Sequence, residues 1–121
     1  MKFQFDNNLP IYIQLVEQLK VHIFSGVLKP GERLPSVRDL ANLSRVNPNT
    51  MQKALQELEE LELIYTERTN GKFVTENIKI INKYRDKYAL ELANTFFCGM
   101  KNIGYEEKDA IKYLNKLEGG K

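Results

Sequence analysis

The chain has 121 residues and a formal net charge of +2 at pH 7, so it is about one average domain and is not a uniformly basic protein. At this length folding buries roughly two thirds of the unfolded surface, which limits the chain to one core and a small appendage. A single cysteine excludes an intramolecular disulfide, and no apolar run approaches the roughly 20 residues of a membrane span, so we expect a soluble cytoplasmic protein.

The first predicted element is a helix that runs from Pro10 to Gly26. Proline is favoured at the first position of a helix, and glycine is a typical residue just after the last. Apolar residues recur at helical spacing between them: Tyr12, Leu15, Val16, Leu19 and Ile23. The segment before this helix, around Phe3 and Phe5, is predicted to pack on the body of the protein or on a partner subunit.

His22 on this helix is the only histidine of the chain. With no cysteine or second histidine at ligand spacing, a metal site would need several carboxylates, so a structural role is favoured over a metal-binding one. The sequence also shows no nucleophile and base pair, no glycine-rich phosphate loop and no cluster of carboxylates. We therefore predict neither an enzyme nor a cofactor.

A short second helix is predicted to begin after Ser36, whose hydroxyl can accept a hydrogen bond from the backbone N–H of Asp39. It is expected to end near Leu43 or Ser44. Its apolar side consists of Val37, Leu40, Ala41 and Leu43.

A third helix is predicted to begin at Pro48, where the missing N–H of proline costs nothing, after Asn47 as the N-cap. Its core face consists of Met51, Ala54, Leu55, Leu58 and Leu61, and its opposite face of Asn49, Thr50, Gln52, Lys53 and Gln56. Amide, hydroxyl and ammonium groups of this kind pair with base edges and phosphates in a major groove. The polar face is therefore a candidate for reading DNA.

Two runs of β-forming residues, 63–66 and 73–75, flank the pair Asn70-Gly71. Asn-Gly between such runs predicts a hairpin with a type I′ turn, because both residues tolerate a positive φ. Helix, turn, helix and hairpin in this order make a winged helix-turn-helix. The predicted fold is mainly α with a small β-hairpin wing.

Basic residues concentrate in this part of the chain. Between residues 29 and 53 there are five cations against two carboxylates: Lys29, Arg33, Arg38, Arg45 and Lys53 against Glu32 and Asp39. Acidic residues then crowd positions 57–67. A basic surface beside an acidic one can orient a protein on DNA.

The rest of the chain predicts two helices. The first is expected from Ile78 to Asn102, about 37 Å at 1.5 Å per residue, with an apolar stripe of Ile78, Ile81, Tyr84, Tyr88, Ala89, Leu92, Ala93, Phe96, Phe97 and Met100. Gly104 should end it. The last helix carries Glu106, Glu107 and Asp109 at its start and Ala110, Ile111, Leu114 and Leu117 on its apolar face. Residues 119–121 are expected to fray.

Two apolar helices in so small a tail need a partner, and the simplest partner is the same tail of a second copy. Cys98 lies among aromatic residues, so we interpret it as a buried structural thiol and not as a redox sensor. The aromatic residues Tyr84, Tyr88 and Phe96 are either core residues or the lining of a pocket for a small effector.

The ordered motifs also carry a resemblance. Residues Gly26 to Ala41, Val46 to Thr50 and Asn70 to Val74 resemble the N-terminal domain of GntR-family bacterial transcription regulators, a match over about the first two thirds of the chain. The short remainder resembles the YtrA-like branch, in which a small helical tail replaces a large effector domain. The resemblance implies a winged helix-turn-helix DNA-binding domain at residues 1–76 and a short helical dimerisation domain at residues 77–121.

Residue by residue, the resemblance implies a DNA-positioning arginine at Arg38, recognition-helix contacts at Asn47, Asn49, Thr50 and Gln52, and wing contacts at Asn70 and Gly71. Side-chain chemistry makes Asn49 and Gln52 candidates for pairing with adenine. It makes four cations candidates for phosphate contacts: Arg33, Arg45, Lys53 and Arg68. Arg33 could instead pair with a local carboxylate. The complete predicted set is Arg33, Ser36, Arg38, Arg45, Asn47, Asn49, Thr50, Gln52, Lys53, Arg68, Asn70 and Gly71.

Three positions depart from the family pattern. Arg45 stands where the family has glycine in the turn, Glu62 replaces the glycine after the recognition helix, and Thr69 replaces an earlier glycine of the wing.

The sequence therefore predicts a homodimeric repressor that places two recognition helices in successive major grooves, about 34 Å apart on a pseudo-palindromic operator. The resemblance implies regulation of its own, transporter-type operon. The alternative is a winged helix that binds a protein and has no sequence-specific DNA binding.

Overall fold

The computed structural model describes residues 1–119. The elements in chain order are α1 (Ile11–Phe24), α2 (Val37–Ser44), α3 (Pro48–Glu60), β1 (Ile64–Glu67), β2 (Gly71–Val74), α4 (Ile78–Asn102) and α5 (Glu107–Gly119). The predicted fold class, mainly helical with a two-stranded antiparallel sheet, is confirmed. Within the described range, every helix is too short or too polar to cross a membrane.

The core of the first compact unit, Met1–Lys83, lies where α1 and α2 pack against α3 and where β1 packs under it. Its fully buried large side chains are Leu15, Leu19, Leu40, Met51, Leu55, Leu58, Leu63, Ile64 and Val74. Most of these belong to the apolar faces that helical spacing predicts. Burial of these faces is what holds the polar face of α3 outward.

The predicted helix starts are confirmed for α2 and α3. Ser36 Oγ accepts the backbone N–H of Asp39 at 3.1 Å, and Asn47 Oδ1 accepts that of Asn49 at 2.7 Å. Pro48 is the first residue of α3. Each cap satisfies one of the N–H groups that a helix start leaves unpaired.

Leu43 does not belong to the apolar side of α2, contrary to the prediction, because its side chain is 55% exposed. Ser44 is buried instead, and its hydroxyl donates to the carbonyl of Leu40 at 2.7 Å. The buried arc of α2 is centred between Leu40 and Ala41. Leu43 lies roughly 110° away from that centre at 3.6 residues per turn, so it faces solvent.

The type I′ turn predicted at Asn70-Gly71 is wrong. The strand register runs from Ile64 opposite Val74 to Glu67 opposite Gly71, which leaves three residues, 68–70, in the loop. Of the wing residues described, only Gly71 has a positive φ, +97°. The register buries Ile64 and Val74 together, whereas pairing Thr69 with Lys72 would shift every strand partner and separate them.

The second compact unit begins at Tyr84, within α4. The predicted bounds of α4 are confirmed, and after it Gly104 (φ +98°) donates its N–H to Lys101 at 3.0 Å. Gly119 is the last residue of α5, and the rest of the predicted frayed end, residues 120–121, lies outside the described residues.

Cys98 is exposed, so its interpretation as a buried thiol is wrong for the single chain. Ala110 is the one fully buried residue among those described in this unit. Two helices cover only part of each other's surface, and for this reason part of the apolar stripe of α4 and the thiol beside it stay open to solvent.

Candidate nucleic-acid interface

The turn between α2 and α3 is set by the backbone of Arg45. Arg45 has φ 58° and ψ 40°, and its N–H and that of Val46 both donate to the carbonyl of Ala41. This left-handed conformation costs a residue with a side chain about 1–2 kcal/mol. The chain therefore keeps the geometry that glycine favours and places an exposed guanidinium at the start of α3.

The outer face of α3 is polar and open. Asn49, Gln52 and Lys53 are exposed and Thr50 is half-buried, as is expected of the side opposite the core residues. Arg38 on α2 is exposed as well. A helix with this face free to solvent has the shape and the donors that reading a major groove requires.

The wing is tied to the far end of α3 by a small polar network. Lys72 Nζ lies 3.5 Å from the Glu59 carboxylate and 2.9 Å from the Thr66 hydroxyl, and Thr66 in turn donates to Glu59. Beside it the rings of Tyr65 and Phe73 stack at 5.6 Å. The Lys72 side chain is only 18% exposed, so it positions the wing and is turned away from solvent.

The segment before α2 pairs with the free edge of β2. Leu34 N–H donates to Lys72 O at 2.8 Å and Val74 N–H to Glu32 O at 2.9 Å, with a β-bridge between Arg33 and Phe73. This pairing brings Arg33 to the wing loop. A Cβ built at Gly71 would lie 3.4 Å from Arg33 Nε, so the guanidinium lies in contact distance over Gly71.

A groove of about 570 Å³ opens between this segment and the wing. It brings together four residues of the predicted set, Arg33, Ser36, Arg68 and Gly71, beside Asp39 and Lys72. The alternative in which Arg33 pairs with a carboxylate is not seen: the described ion pairs join Lys72 to Glu59 and Lys112 to Asp109.

A second groove, of about 650 Å³, lies between the N-terminal arm (residues 2–8) and the turn. It brings together Arg45, Asn47 and Thr50 of the predicted set with Phe3, Phe5 and Asn7. Sequence reasoning did not assign the arm to the site. The sequence feature that would have placed the arm on α1 is the four-residue spacing of Gln14, Gln18 and His22, whose side chains bind the arm backbone.

The remaining predicted residues line neither groove. Arg38, Asn49, Gln52 and Lys53 stand on open helix surface, and Asn70 Nδ2 donates to Glu67 at 3.0 Å inside the wing loop. The predicted set thus divides among the two grooves, the open surface of α2 and α3, and the tip of the wing.

One cavity in the described part of the tail has a volume of about 90 Å³, far below the roughly 300–1,000 Å³ of drug-sized sites. Its lining is Asn94, Phe97, Cys98, Lys101, Tyr105 and Glu107. Tyr84, Tyr88 and Phe96 are half-buried and outside this lining, so an effector pocket at these three residues stays a prediction. Over residues 1–119 no group of three or more His, Cys, Asp or Glu could hold a metal ion.

Comparison with known proteins places this geometry in a family. Residues 11–74 match the family model "Bacterial regulatory proteins, gntR family". Over 121 residues the chain is 35% identical to YhcF, an HTH-type transcriptional regulator of Bacillus subtilis, covering 99% of this chain and 100% of YhcF. It is 45% identical over 73 residues to the HTH-type transcriptional repressor YtrA of Bacillus subtilis. This match covers 60% of this chain and 56% of YtrA.

Solved structures agree. A GntR family transcriptional regulator from Listeria monocytogenes superposes with a TM-score of 0.86 at 38% identity, covering 93% of this chain and 98% of that one. The DNA-binding domain of AraR in complex with operator ORX1 superposes with a TM-score of 0.55 at 26% identity, over 62% of this chain and 99% of that domain. These matched proteins are transcription regulators, not enzymes.

Proposed function

This chain belongs to the gntR family of bacterial regulatory proteins, and from that premise we propose that it is a homodimeric repressor of a pseudo-palindromic operator. It is a transcriptional regulator with a winged helix-turn-helix DNA-binding domain. The assembly, the direction of regulation and the residues that touch DNA are the proposed part.

The exposed polar face of α3 carries the proposal. It is bordered by Arg45 at its start, and the polar network at its end holds the wing beside it, so a duplex that receives α3 also meets Arg45 and the wing. Within residues 1–76 we assign base reading to Asn49 and Gln52. Backbone contacts are assigned to Arg33, Ser36, Arg38, Arg45, Asn47, Thr50, Lys53, Arg68, Asn70 and Gly71.

The dimer is proposed on the exposed apolar surface of the tail, residues 77–121. Leu90, Ile103 and Leu117 are 72%, 70% and 70% exposed. Apolar patches of this kind mark association surfaces, and a closed two-fold pair with the same tail covers them without leaving an open end. Such a pair would present two α3 helices to successive major grooves, about 34 Å apart.

Repression is proposed from the likeness to YtrA, a transcriptional repressor that is 45% identical to this chain over 73 residues. A dimer of this size with a small tail represses most simply by occluding a promoter. The proposed target is its own operon, of a transporter type.

The test of DNA binding is a gel-shift titration against the DNA upstream of its own gene, at several salt concentrations and with scrambled competitor. A discrete complex with two chains per site that survives the competitor supports the proposal. Binding that scrambled DNA erases equally would favour the protein-interaction reading of the fold.

The test of the dimer is sedimentation of the variant Leu114→Asp with Leu117→Asp. Charges on this face should give a monomer, since each carboxylate would be buried unpaired in the interface. Asn115→Asp is the control, because it adds a carboxylate at an exposed polar position of the same helix. If the double variant sediments as the wild type does, the tail face is not the interface.

A further inference from the structure

The N-terminal arm is held along α1 by side chains that read its backbone. Gln18 Oε1 accepts the N–H of Gln4 at 3.0 Å, and Gln18 Nε2 donates to the carbonyl of Gln4. Gln14 makes the same pair with Asp6, at 2.8 and 2.9 Å. His22 Nε2 hydrogen-bonds the carbonyl of Lys2 at 2.9 Å. The three α1 residues that bind the arm are spaced four residues apart, and the arm residues that they bind are spaced two residues apart.

These spacings match in length. Four residues of a helix rise about 6 Å, and two residues of extended chain span about 6.6 Å. Side chains four residues apart on α1 therefore meet every second residue of the arm. The Phe3 ring also packs edge-on against His22 at 5.1 Å between centroids. The arm is therefore docked on α1 in a single register.

The register decides which side chains reach the groove beside α3. The backbone of residues 2, 4 and 6 faces α1, whereas Phe3, Phe5 and, in the turn that follows, Asn7 line the groove. The rings of Phe3 and Phe5 lie nearly parallel, 6.3 Å apart.

The opposite wall is the start of the recognition helix: Arg45, Asn47 and Thr50. The groove thus has an aromatic floor and a rim made of a guanidinium, two amides and a hydroxyl. A sugar-phosphate backbone has complementary chemistry, with an apolar sugar face and a charged phosphate that accepts hydrogen bonds. The Asp6 carboxylate accepts the N–H of Asn8 at 2.9 Å and is not part of the groove lining.

We propose that the arm is a third DNA-contacting element beside α3 and the wing, and that its groove holds one strand of the sugar-phosphate backbone at the edge of the major groove. Asn7 and Phe5 supply the contacts, and Gln14 and Gln18 position them. This inference rests on the proposed function, because the groove meets a DNA strand only when α3 enters the duplex.

The experiment measures operator affinity and hydroxyl-radical footprints for the full-length protein and three variants. Asn7→Ala removes an exposed amide from the groove, Gln14→Ala with Gln18→Ala releases the arm, and Asn8→Ala is the control at a neighbouring residue outside the groove lining. Circular dichroism melting checks that each variant is folded.

We expect Asn7→Ala to lower affinity about tenfold, as the loss of a hydrogen bond to a charged acceptor does. The double variant should lower it at least as much, and both should lose sugar protection flanking the site contacted by α3. Asn8→Ala should bind as the wild type does.

If the wild type binds specifically but the folded arm variants keep its affinity and footprint, the arm proposal is overturned while the proposed function stands. A loss of affinity with an unchanged footprint also overturns it, because the arm would then act only on stability. Absence of specific binding by the wild type itself would overturn both.

Discussion

The Lys72 ammonium lies 3.5 Å from the Glu59 carboxylate and so joins the second strand of the wing to the recognition helix. Its neighbours in the wing loop, Arg68 and Asn70, are exposed. A cation beside a wing tip suggests a phosphate contact, but this one is paired inside the protein. Lys72 therefore acts on DNA binding through the position of the wing.

Replacing Lys72 by methionine should lower operator affinity by up to about fivefold, since a partly exposed ion pair contributes about 0–1 kcal/mol. The slope of log affinity against log salt should not change, because no phosphate contact is lost. Salt titrations measure both quantities. The matched control is Lys53→Met, an exposed lysine of α3 whose loss should make the slope shallower by about one unit. A shallower slope for Lys72→Met would assign Lys72 to phosphate.

Arg38→Ala should weaken specific and non-specific binding together and make the salt slope shallower by about one unit, because one counterion-releasing contact disappears. Arg38→Lys retains the charge and should retain the slope. Affinities for operator and scrambled DNA across a salt series provide the measurement. Unchanged binding of Arg38→Ala at every salt concentration would remove Arg38 from the interface.

Gln52→Ala should relax the preference for one base at a cost of roughly 1–3 kcal/mol on the preferred operator, since a glutamine amide can pair bidentately with adenine. Base-by-base substitution of the operator identifies the affected position. Gln56→Ala, one turn further along the same face, is the control and should leave the base preferences intact. The assignment fails if Gln52→Ala has the wild-type preference at every position.

Glu62→Gly should stabilise the protein by about 0.5–1 kcal/mol. Glu62 has φ +63°, and relief of about 1–2 kcal/mol of left-handed strain exceeds the about 0.4–1 kcal/mol that glycine adds to the entropy of the unfolded chain. Glu60→Gly is the control and should destabilise, because Glu60 is the last residue of α3. Thermal unfolding followed by circular dichroism measures the shifts, and a lower melting temperature for Glu62→Gly would contradict the strain.

The free energy of unfolding should decrease as the pH falls below 6.5, the ordinary pKa of a histidine side chain such as that of His22. Burial lowers the pKa of His22, with the N-terminal amine acting the same way and the bond to Lys2 opposing both. The unfolded chain then binds the proton at a higher pH than the folded one, so the loss begins near the unfolded pKa and is complete below the folded pKa.

His22→Gln should flatten this dependence while an amide replaces the ring as donor to Lys2. Urea unfolding of both proteins between about pH 7 and about pH 5 measures it, a window in which histidine is the side chain with an ordinary pKa. Equal slopes for the wild type and His22→Gln would place the pH dependence elsewhere.

Local patterns predicted the helices because their causes are local. Ser36 and Asn47 cap through backbone groups two or three residues away, and the spacing of apolar residues assigns the buried face of α3. The outer face of α3 follows by exclusion. The departures at Arg45 and Glu62 were visible as residues, and the structure adds that both keep a positive φ.

Two predictions were wrong because they were made from adjacent residues in the sequence, whereas the conformation depends on residues distant in the sequence. The wing loop took the register that buries Ile64 with Val74, against the preference of Asn70-Gly71 for its own turn. Cys98 is flanked by aromatic residues, yet the two-helix unit has no layer that covers it.

The sequence by itself determined the family resemblance, the helix bounds and the polar face of α3, since periodicity and capping act within one or two helical turns. Only the tertiary structure decided the pairing of Lys72 with Glu59, the packing of Arg33 on Gly71 and the docking of the arm on Gln14 and Gln18. These contacts join residues 8 to 38 positions apart. Residues so far apart in the sequence come together because the elements that carry them bury a common core, and no local sequence pattern specifies that packing.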